Sequence, residues 1–577
     1  MQKEADPLYG PWWARGDTPV RTGSRVISLV DGRSAFFTMC CQFLKARSSI
    51  YLANWGMTAN LPLVRARDQR AGPDGSREQE ALLATLRTEG LSPEAIAFWS
   101  THPLTLQNIL GDAVRRGVEV KVLLWNSLPL PTYSHYRPRE TRDLLTQVGV
   151  NCLLDNSARG IIHHPAESLH QKLTVVDSQV AFVGGLDPMI ELGDDFDRWD
   201  TPAHLFSTPL RQTEKGTTPH PWHDVHTRIE GPAVGDVEHN FRQRWNAVAR
   251  HWFERRTPFV SEHPRLRPRT SFVSEHPLPA PVQSESVVQI ARTIPRWTYH
   301  FKPHHVQDIA QLYTKAIRQA QRFLYLENQY LWVRAYTGID IPFLGKDSPE
   351  MEQIVRELIA ALRRGVTIGI VLPDHPAPGR AFTDAVIARI RQAAPQAVTE
   401  GRFQSFCLGT SIRREDGEHY RPIYVHAKVG IVDDLWTTIG SANLNNRGMR
   451  DDAEINVALL DAQFATSLRL KLWAEHLGLL NADELFALER YLNSQPQLQR
   501  KNRELERTWR HLQETLSDPP TGLRLMSKRA QENLQQCKAG QPLVGQLLPY
   551  LLKDEALQHG LNFREDHGWL EEEAASS

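Results

Sequence analysis

Two stretches of the chain place a histidine and a lysine two residues apart within an otherwise apolar run. Because residues i and i+2 of a strand share a face, each stretch presents the two side chains next to each other. A single pair of this kind is a weak signal, since buried histidines are commonly structural. The arrangement occurs twice, in "LHQKLTVVD" and in "VHAKVGIVD": the pairs are His170 with Lys172 and His426 with Lys428.

The two copies agree in more than the histidine and the lysine. An aspartate and a glycine follow at the same spacing, which gives positions 170, 172, 177 and 184 in one copy and 426, 428, 433 and 440 in the other. A duplicated scaffold explains shared apolar positions, but it does not explain the retention of the same buried polar side chains, which are costly. We therefore expect the two copies of the motif, each ending in Asp177 or Asp433, to form an active site.

Two histidines and two lysines at one point suit the cleavage of a phosphodiester bond. One histidine can attack the phosphorus atom while the other protonates the leaving group and then activates the incoming oxygen. Two fixed cations stabilise the negative charge that develops on a five-coordinate phosphorus centre. This chemistry needs neither a metal nor an organic cofactor, and we predict neither.

The residues after each motif predict a hairpin. Asp177-Ser178 and Asp433-Asp434 are read as two-residue turns between two apolar strands. This register places His170 opposite Gly185 and His426 opposite Ser441, with Asp187 and Asn443 two residues further on. Each half would then bring a histidine, a lysine, a small or hydroxyl residue and an acid or amide to one point.

Other segments are also duplicated, and they indicate the fold. "SSIYLANW" is similar to "RFLYLENQY", and "RRGVEVKVLLWN" is similar to "RRGVTIGIVLPD". Helices that alternate with buried strands predict an α/β fold with two pseudo-symmetric lobes, each a mixed sheet flanked by helices, and an active site between them. We expect one lobe over residues 1–255, a linker over 256–285, the second lobe over 286–480 and a helical extension of unknown role over 481–577.

Composition narrows the class of protein. Lys and Arg together number 67, as do Asp and Glu, so there is no overall basic field that would favour nucleic acid as a partner. No apolar run approaches the roughly 20 residues needed to span a bilayer, and the first residues do not resemble a secretory signal. We expect a cytoplasmic or peripheral membrane protein, and export without a cleaved signal remains an alternative.

In its duplicated motif the sequence resembles the phospholipase D superfamily, whose signature is this HKD motif. Further segments are similar to the eukaryotic-type phospholipases D: "FVGGLD", "RWDTPAHLF", "PWHDVHTRIEGPAVGDVEHNFRQRWN", "LENQYLW" and "GSANLNNRGMRDDAEI". The resemblance runs from about residue 24 to residue 478. It implies the two-lobed fold and phosphodiesterase activity.

The resemblance also implies roles for the histidines. His170 would be the nucleophile that forms a phosphohistidine, and His426 the general acid and then the general base. Asp200 in the first lobe and Glu454 in the second would orient the imidazoles, because a carboxylate fixes the tautomer and stabilises the imidazolium. The pseudo-symmetry of the chain leaves the two histidines interchangeable on sequence grounds.

The remaining motif residues are expected to bind the phosphoryl group or to support the fold. Lys172 and Lys428 would hold the phosphoryl oxygens. The predicted phosphate-binding set beside these lysines is Ser441, Asn443, Gly185 and Asp187. Asp177 and Asp433 belong to the catalytic motif, but their turn positions favour a structural salt bridge over contact with the substrate.

One segment superficially resembles a metal site. "PHPWHDVH" offers His220, His223, Asp224 and His226, residue types that bind transition metals. The segment matches a block of the resembled family that is not known for metal binding. We therefore predict no metal there.

These observations predict a phospholipase D that converts a glycerophospholipid at a membrane surface to phosphatidic acid and the headgroup alcohol. Water is the acceptor in hydrolysis, and another alcohol would be the acceptor in transphosphatidylation. A nuclease or a cardiolipin synthase-like phosphatidyltransferase with the same two-histidine chemistry is the alternative. A non-catalytic lipid-binding scaffold is an alternative of another class, which the intact motifs disfavour.

Overall fold

The computed structural model describes most of the chain. The described residues are 10–69, 77–126, 136–155, 168–191, 196–211, 219–254, 271–296, 298–299, 304–334, 347–375, 379–494, 499, 502–565 and 567–570. The predicted linker lies partly outside them. Among the described residues, every helix is too short or too polar to cross a lipid bilayer.

Nineteen strands are described, and they form two sheets. In chain order the strands are β1 (Val20–Arg21), β2 (Arg25–Val30), β3 (Ser49–Asn54), β4 (Glu119–Trp125), β5 (Asn151–Asp155), β6 (Leu173–Val176), β7 (Val180–Gly184), β8 (Trp222–His223), β9 (Val225–Glu230), β10 (Val287–Ile294), β11 (Val306–Gln307), β12 (Phe323–Asn328), β13 (Thr367–Val371), β14 (Phe403–Arg414), β15 (Gly417–Val425), β16 (Lys428–Val432), β17 (Trp436–Gly440), β18 (Glu454–Leu460) and β19 (Leu547–Pro549). The central strands of both sheets are buried along their whole length and mainly apolar, as expected where both faces of a sheet are covered.

The two sheets repeat one strand order. The seven-stranded sheet runs β2-β9-β7-β6-β3-β4-β5, and the twelve-stranded sheet contains the run β10-β18-β17-β16-β12-β13-β14. In both runs the first motif strand, β6 or β16, pairs antiparallel with β3 or β12. The larger sheet adds β1, β11, β15, β8 and β19. The predicted α/β fold with two mixed sheets flanked by helices is confirmed.

Helices cover the sheets and follow the strands in the alternation that the sequence predicts. Their bounds are α1 (Asp31–Lys45), α2 (Arg77–Thr88), α3 (Pro93–Thr101), α4 (Leu106–Arg115), α5 (Pro138–Gln147), α6 (Ala233–Glu254), α7 (Asp308–Gln319), α8 (Pro349–Arg363), α9 (Arg380–Ala393), α10 (Pro395–Thr399), α11 (Ala462–Leu477), α12 (Ala482–Asn493), α13 (Arg503–Thr515), α14 (Pro519–Ala539) and α15 (Lys553–Gln558). A 3₁₀ turn spans Ala66–Asp68 and a π turn spans Arg447–Asp451. α11 ends at Gly478, which takes the left-handed conformation (φ 68°) that glycine adopts without steric cost.

One apolar core is shared by the two sheets. It contains Leu173 and Val183 of the first hairpin together with Val429 and Ile439 of the second, all buried. The two motif hairpins therefore meet in a common interior, and the polar ends of their strands lie at the boundary between the sheets.

The predicted hairpin register is wrong by one residue. Val176 pairs with Val180, so three residues and not two separate β6 from β7. The third turn residue, Gln179, donates its backbone amide to Val176 at 2.9 Å, after Asp177 and Ser178 have taken positive φ values of 52° and 54°. The second hairpin has the same form, with Val432 paired to Trp436. Continuing the register places Lys172 opposite Gly184 and His170 opposite Leu186, whereas the prediction placed His170 opposite Gly185.

Candidate active site

Each motif histidine lies where its own half meets the other half. The amide of His170 donates to the carbonyl of Ala453 at 3.0 Å, beside a bridge between Leu169 and Ala453. The amide of His426 donates to the carbonyl of His223 at 2.8 Å, where β15 pairs with β8. Backbone hydrogen bonds thus tie each histidine to a segment about 200 to 280 residues away in the chain.

A buried acid from the opposite half holds each imidazole. Nδ1 of His170 lies 2.8 Å from Oε1 of Glu454, and Nδ1 of His426 lies 2.7 Å from Oδ2 of Asp224. The oxygens of Asp224 and Glu454 accept hydrogen bonds from the Nδ1 atoms. The proton of each imidazole is therefore fixed on Nδ1, and the unprotonated Nε2 is left to react. Ser441 donates its hydroxyl to the second oxygen of Glu454 at 2.5 Å, so this acid is itself held in place.

The two lysines are fully buried beside their histidines. Nζ of Lys172 donates to the carbonyl of His170 at 2.8 Å and lies 3.0 Å from Oδ2 of Asp187. Nζ of Lys428 donates to the carbonyl of His426 and to Oε1 of Gln329, the latter at 3.2 Å. One lysine therefore has a carboxylate partner and the other an amide partner.

The electrostatics of the four groups are coupled. Burial lowers the pKa of His170 well below its usual value, and Lys172 and Lys428 lower it further. Burial also lowers the pKa of His426, with Lys428 as the next cause and His170 among the lesser ones. Each histidine thus senses both lysines, which places the four side chains in one site and keeps both imidazoles neutral.

Burial raises the pKa values of the two acids and lowers that of the second lysine. Burial raises the pKa of Asp224 to about 7 and raises that of Glu454 well above its usual value. Burial lowers the pKa of Lys428 to about 7. A substrate phosphate would restore the charge of this lysine, because a nearby anion favours the protonated amine.

Comparison with known proteins agrees with this geometry. A family profile described as Phospholipase D matches residues 100–342, and one described as Cardiolipin synthase, PLD-like domain, matches residues 313–474. Phospholipase D alpha 1 of Nicotiana tabacum is 26% identical over 584 residues, which cover 81% of this chain and 66% of the relative. The chain belongs to the phospholipase D superfamily. Phospholipase D beta 2 of Arabidopsis thaliana is 28% identical over 551 residues, with 77% and 56% covered.

The predicted family is therefore confirmed, including its likeness to eukaryotic-type phospholipases D. The chain spans just under two thirds of the length of the tobacco relative. Among solved structures, the phosphatidylserine synthase of Haemophilus influenzae Rd KW20 matches with a TM-score of 0.44 and 14% identity, covering 79% of this chain and 86% of that one.

Asp200, which the sequence assigns to orient a histidine of the phospholipase D motif, lies elsewhere. Its carboxylate accepts from Nδ1 of His204 at 3.1 Å, from Arg211 at 3.2 Å and from the amide of Trp222 at 2.9 Å. It also accepts from the amide of Thr201 at 2.8 Å, and none of these partners is a motif histidine. Glu454 does contact a motif histidine, but it is His170 of the other half and not His426 of its own half.

The sequence reading missed Asp224, the acid that holds His426. A signal for it exists: Asp224 immediately precedes strand β9, and Glu454 begins strand β18, which occupies the same position in the other sheet. Gln329, the partner of Lys428, was missed as well. It follows strand β12 in "LENQYLW", a block that the sequence reading had singled out.

The predicted phosphate-binding residues separate into two groups. Asp187 accepts from Lys172 and from the amides of Trp55 and Gly56, so it holds the lysine, and its negative charge would repel a phosphate. Gly185 allows the close approach of Asp224, because a Cβ atom at position 185 would lie 2.0 Å from Oδ1 of Asp224. These two predicted contacts are therefore corrected to supporting positions.

Ser441 and Asn443 differ from that pair. The hydroxyl of Ser441 is used by Glu454, which makes it a support for His170. Asn443 is nearly buried, and its Oδ1 has no hydrogen-bond partner among the described residues. An amide oxygen accepts hydrogen bonds and would not bind a phosphate oxygen, so phosphate binding by the Nδ2 group of Asn443 stays a prediction.

The motif aspartates lie at the far end of the hairpins. Asp177 accepts from the backbone amides of Arg47, Ser48 and Ser49 at 2.7 to 3.1 Å. Asp433 does the same with the amides of residues 321, 322 and 323 at 2.7 to 2.9 Å. Asp177 and Asp433 therefore have structural contacts, as expected. Their partners are backbone amides, whereas the prediction was a salt bridge to a cationic side chain.

Proposed function

We propose that this protein cleaves the distal phosphodiester bond of a glycerophospholipid and releases phosphatidic acid and the headgroup alcohol. The observation that carries the proposal is the pair of motif histidines, His170 and His426, each held at Nδ1 by a buried acid of the other half. Membership of the phospholipase D superfamily supports the reaction class. Plant phospholipases D among the relatives support a lipid substrate.

The proposed reaction has two steps. The imidazole of His426 is neutral in the free enzyme, and the bound anionic phosphodiester favours its protonated form. Nε2 of His170 attacks the phosphorus atom, the bond from phosphorus to the headgroup oxygen breaks, and protonated His426 gives that oxygen a proton. A phosphatidyl-histidine remains. His426 then takes a proton from water, the resulting hydroxide attacks phosphorus, and the phosphorus–nitrogen bond breaks to release phosphatidic acid and neutral His170.

Lys172 and Lys428 would bind the non-bridging oxygens throughout. Both amines are buried and fixed by hydrogen bonds, so they need no reorganisation as charge develops on the phosphoryl group. An alcohol that replaces water in the second step gives transphosphatidylation by the same route. The loop of residues 126–141, which the sequence favours for headgroup selection, lies largely outside the described residues.

The experiment is a substrate panel on the full chain without added metal. Purified protein is incubated with phosphatidylcholine, phosphatidylethanolamine, phosphatidylglycerol and single-stranded DNA, and phosphatidic acid, free headgroup and nucleotides are quantified. Adding ethanol tests for phosphatidylethanol. Turnover of at least one lipid is expected, whereas cleavage of DNA with no lipid turnover would replace the proposal with a nuclease.

A matched pair of variants identifies the source of the activity. H170A should abolish turnover because the attacking nitrogen is lost. H102A changes an exposed histidine at the end of α3 and should leave turnover unchanged. Undiminished lipid cleavage by H170A, in protein that melts like the wild type, would refute the proposed mechanism.

A further inference from the structure

A second group of histidines and acids lies beneath the active site. Asp31, His204, His223 and Glu475 are all buried, with 0 to 2% of each residue exposed. They come from the start of α1, the segment after residue 196, strand β8 and the end of α11, so they belong to both halves of the chain. One ligand atom from each residue lies within 4.8 Å of every other.

The contacts within this group do not match simple hydrogen bonding. Nε2 of His204 lies 3.3 Å from Oδ2 of Asp31 and 3.0 Å from Oε1 of Glu475. Nδ1 of His223 lies 3.1 Å from Oδ1 of Asp31 and 3.2 Å from the same oxygen of Glu475. Each imidazole nitrogen carries at most one hydrogen, so two hydrogens face four carboxylate contacts.

These separations fit the ligands of a four-coordinate ion. Bonds of about 2.0–2.1 Å to nitrogen and oxygen at tetrahedral angles place neighbouring ligand atoms about 3.3 Å apart. In addition, Oδ2 of Asp31 is buried and has no hydrogen-bond partner among the described residues, although it faces His204. An unsatisfied buried carboxylate oxygen is costly, and a cation would satisfy it.

The far side of each imidazole carries the second feature of a metal site. Nδ1 of His204 lies 3.1 Å from Asp200, and Nε2 of His223 lies 2.9 Å from Glu327. A metal-bound histidine usually donates its other nitrogen to a carboxylate, which fixes the ring and raises its basicity. Both histidines of the group show this arrangement, so Asp200 orients a histidine after all, but outside the HKD motif.

We propose that Asp31, His204, His223 and Glu475 bind one Zn²⁺ ion. Two imidazoles with two carboxylates suit zinc, whereas calcium and magnesium take oxygen ligands. Four protein ligands leave no open coordination position, so the ion would be structural and would not take part in the reaction.

An ion at this site would stabilise the backbone next to the active site. The carbonyl of His223 accepts from the amide of His426 at 2.8 Å. The amide of Asp31 donates to the carbonyl of Asp224 at 2.9 Å, and Oδ1 of Asp31 accepts from the amide of Asp224 at 3.2 Å. An ion that fixes Asp31 and His223 therefore fixes the backbone of the His426–Asp224 pair. The inference concerns metal binding and is independent of which substrate is cleaved.

The test measures metal in tag-free full-length protein after dialysis against EDTA. Elemental analysis should find about one zinc per chain, and X-ray absorption at the zinc edge should show only nitrogen and oxygen ligands with the multiple scattering of imidazole. Zinc well below stoichiometry in folded wild-type protein, or zinc bound by sulfur, would overturn the proposal. This measurement needs no variant.

Variants then locate the ion. H204Q and E475Q should hold at least about tenfold less zinc than the wild type, and their melting temperatures should no longer respond to added zinc. H220N is the matched control, because His220 is a partly buried histidine of the same sequence block outside the group. Stoichiometric zinc in H204Q or E475Q, or its loss in H220N alone, would contradict the assignment.

Discussion

The two motif histidines depend on acids that are distant in the chain. His170 is separated from Glu454 by 284 residues, and His426 from Asp224 by 202. The sequence could identify the histidines and lysines because their spacing is duplicated. It could not assign the acids, because those contacts arise only when the two sheets are placed together.

The acid of His170 gives the first prediction. E454Q should lower kcat by about 10²–10⁴-fold, because the neutral amide neither fixes the tautomer nor stabilises an imidazolium. D451N is the control, since Asp451 lies three residues earlier, is partly exposed and pairs with Asn446 and Arg450. Steady-state kinetics of both variants check this. Equal losses in E454Q and D451N would remove Glu454 from the proposed mechanism.

The pH dependence of kcat/KM follows from the shifted groups. A protonated imidazole cannot attack, and the pKa of His170 lies below its usual value of 6.5, so activity should be lost only below that pH. Burial lowers the pKa of His426 and lowers that of Lys428 to about 7, and both groups act in their protonated forms, so kcat/KM should decline as the pH rises through about 7. A pH–rate profile measures both limbs. A profile that falls on the acid side above pH 6.5, or stays flat far into the alkaline range, would contradict these assignments.

At the scale of elements, the motif hairpin is a structural unit as well as a catalytic one. Its aspartate lies at the turn, accepts three backbone amides and joins the turn to the start of β3 or β12. The sequence placed this aspartate in the catalytic motif because its spacing is conserved between the copies. Duplication preserves structural residues and reacting residues equally, so spacing alone could not separate the two roles.

The turn aspartate supplies the prediction at this scale. D433A should lower the free energy of unfolding by about 1–2 kcal/mol, because three amides lose their acceptor. The kcat of the folded protein should change little, since Asp433 lies at the opposite end of β16 from His426. Thermal melting and kinetics of D433A and D433N would be compared. A large loss of kcat at an unchanged melting temperature would instead indicate a catalytic role.

At the scale of the whole molecule, the extension after residue 481 is part of the fold. β19 pairs with β14 of the larger sheet, and the amides of Trp569 and Leu570 donate to buried Asp374. The sequence predicts helices there, and α12 to α15 agree, but the added strand is not predicted. A three-residue strand shows no alternation of its own, and it exists only because β14 offers an edge.

Substitution of two leucines tests whether the extension contributes to the stability of the fold. L548A should destabilise the protein by about 2–5 kcal/mol, because Leu548 is fully buried in the core of the second sheet. L557A should change the unfolding free energy by less than about 0.5 kcal/mol, since 54% of Leu557 is exposed. Chemical denaturation of both variants measures the difference. Equal stability of the two variants would show that the extension does not contribute to the fold.

The fold could be predicted from the sequence because the chain carries it twice. Three segments of the first half, each carrying an apolar strand, had a second copy in the other half, and the two sheets share a run of seven strands in one order. The turn register was not predicted correctly. A three-residue turn that begins with two residues of positive φ, such as Asp177 and Ser178, looks the same in sequence as a two-residue turn. The group around His204 and His223 was not predicted. His223 was set aside with the metal-type residues of its own segment, and Asp31, His204 and Glu475 come from three other segments.

The most direct test of the central claim is to trap and map the covalent intermediate. Wild type, H426N and H170N would each be mixed with a short-chain phosphatidyl-p-nitrophenol, whose leaving group departs without a proton from His426. The samples would be quenched in alkali to preserve phosphohistidine, digested and analysed by mass spectrometry. We expect a phosphatidyl adduct on His170 that accumulates in H426N and is absent from H170N. An adduct on His426 in H170N, or lipid turnover by the wild type with no histidine adduct at all, would contradict it.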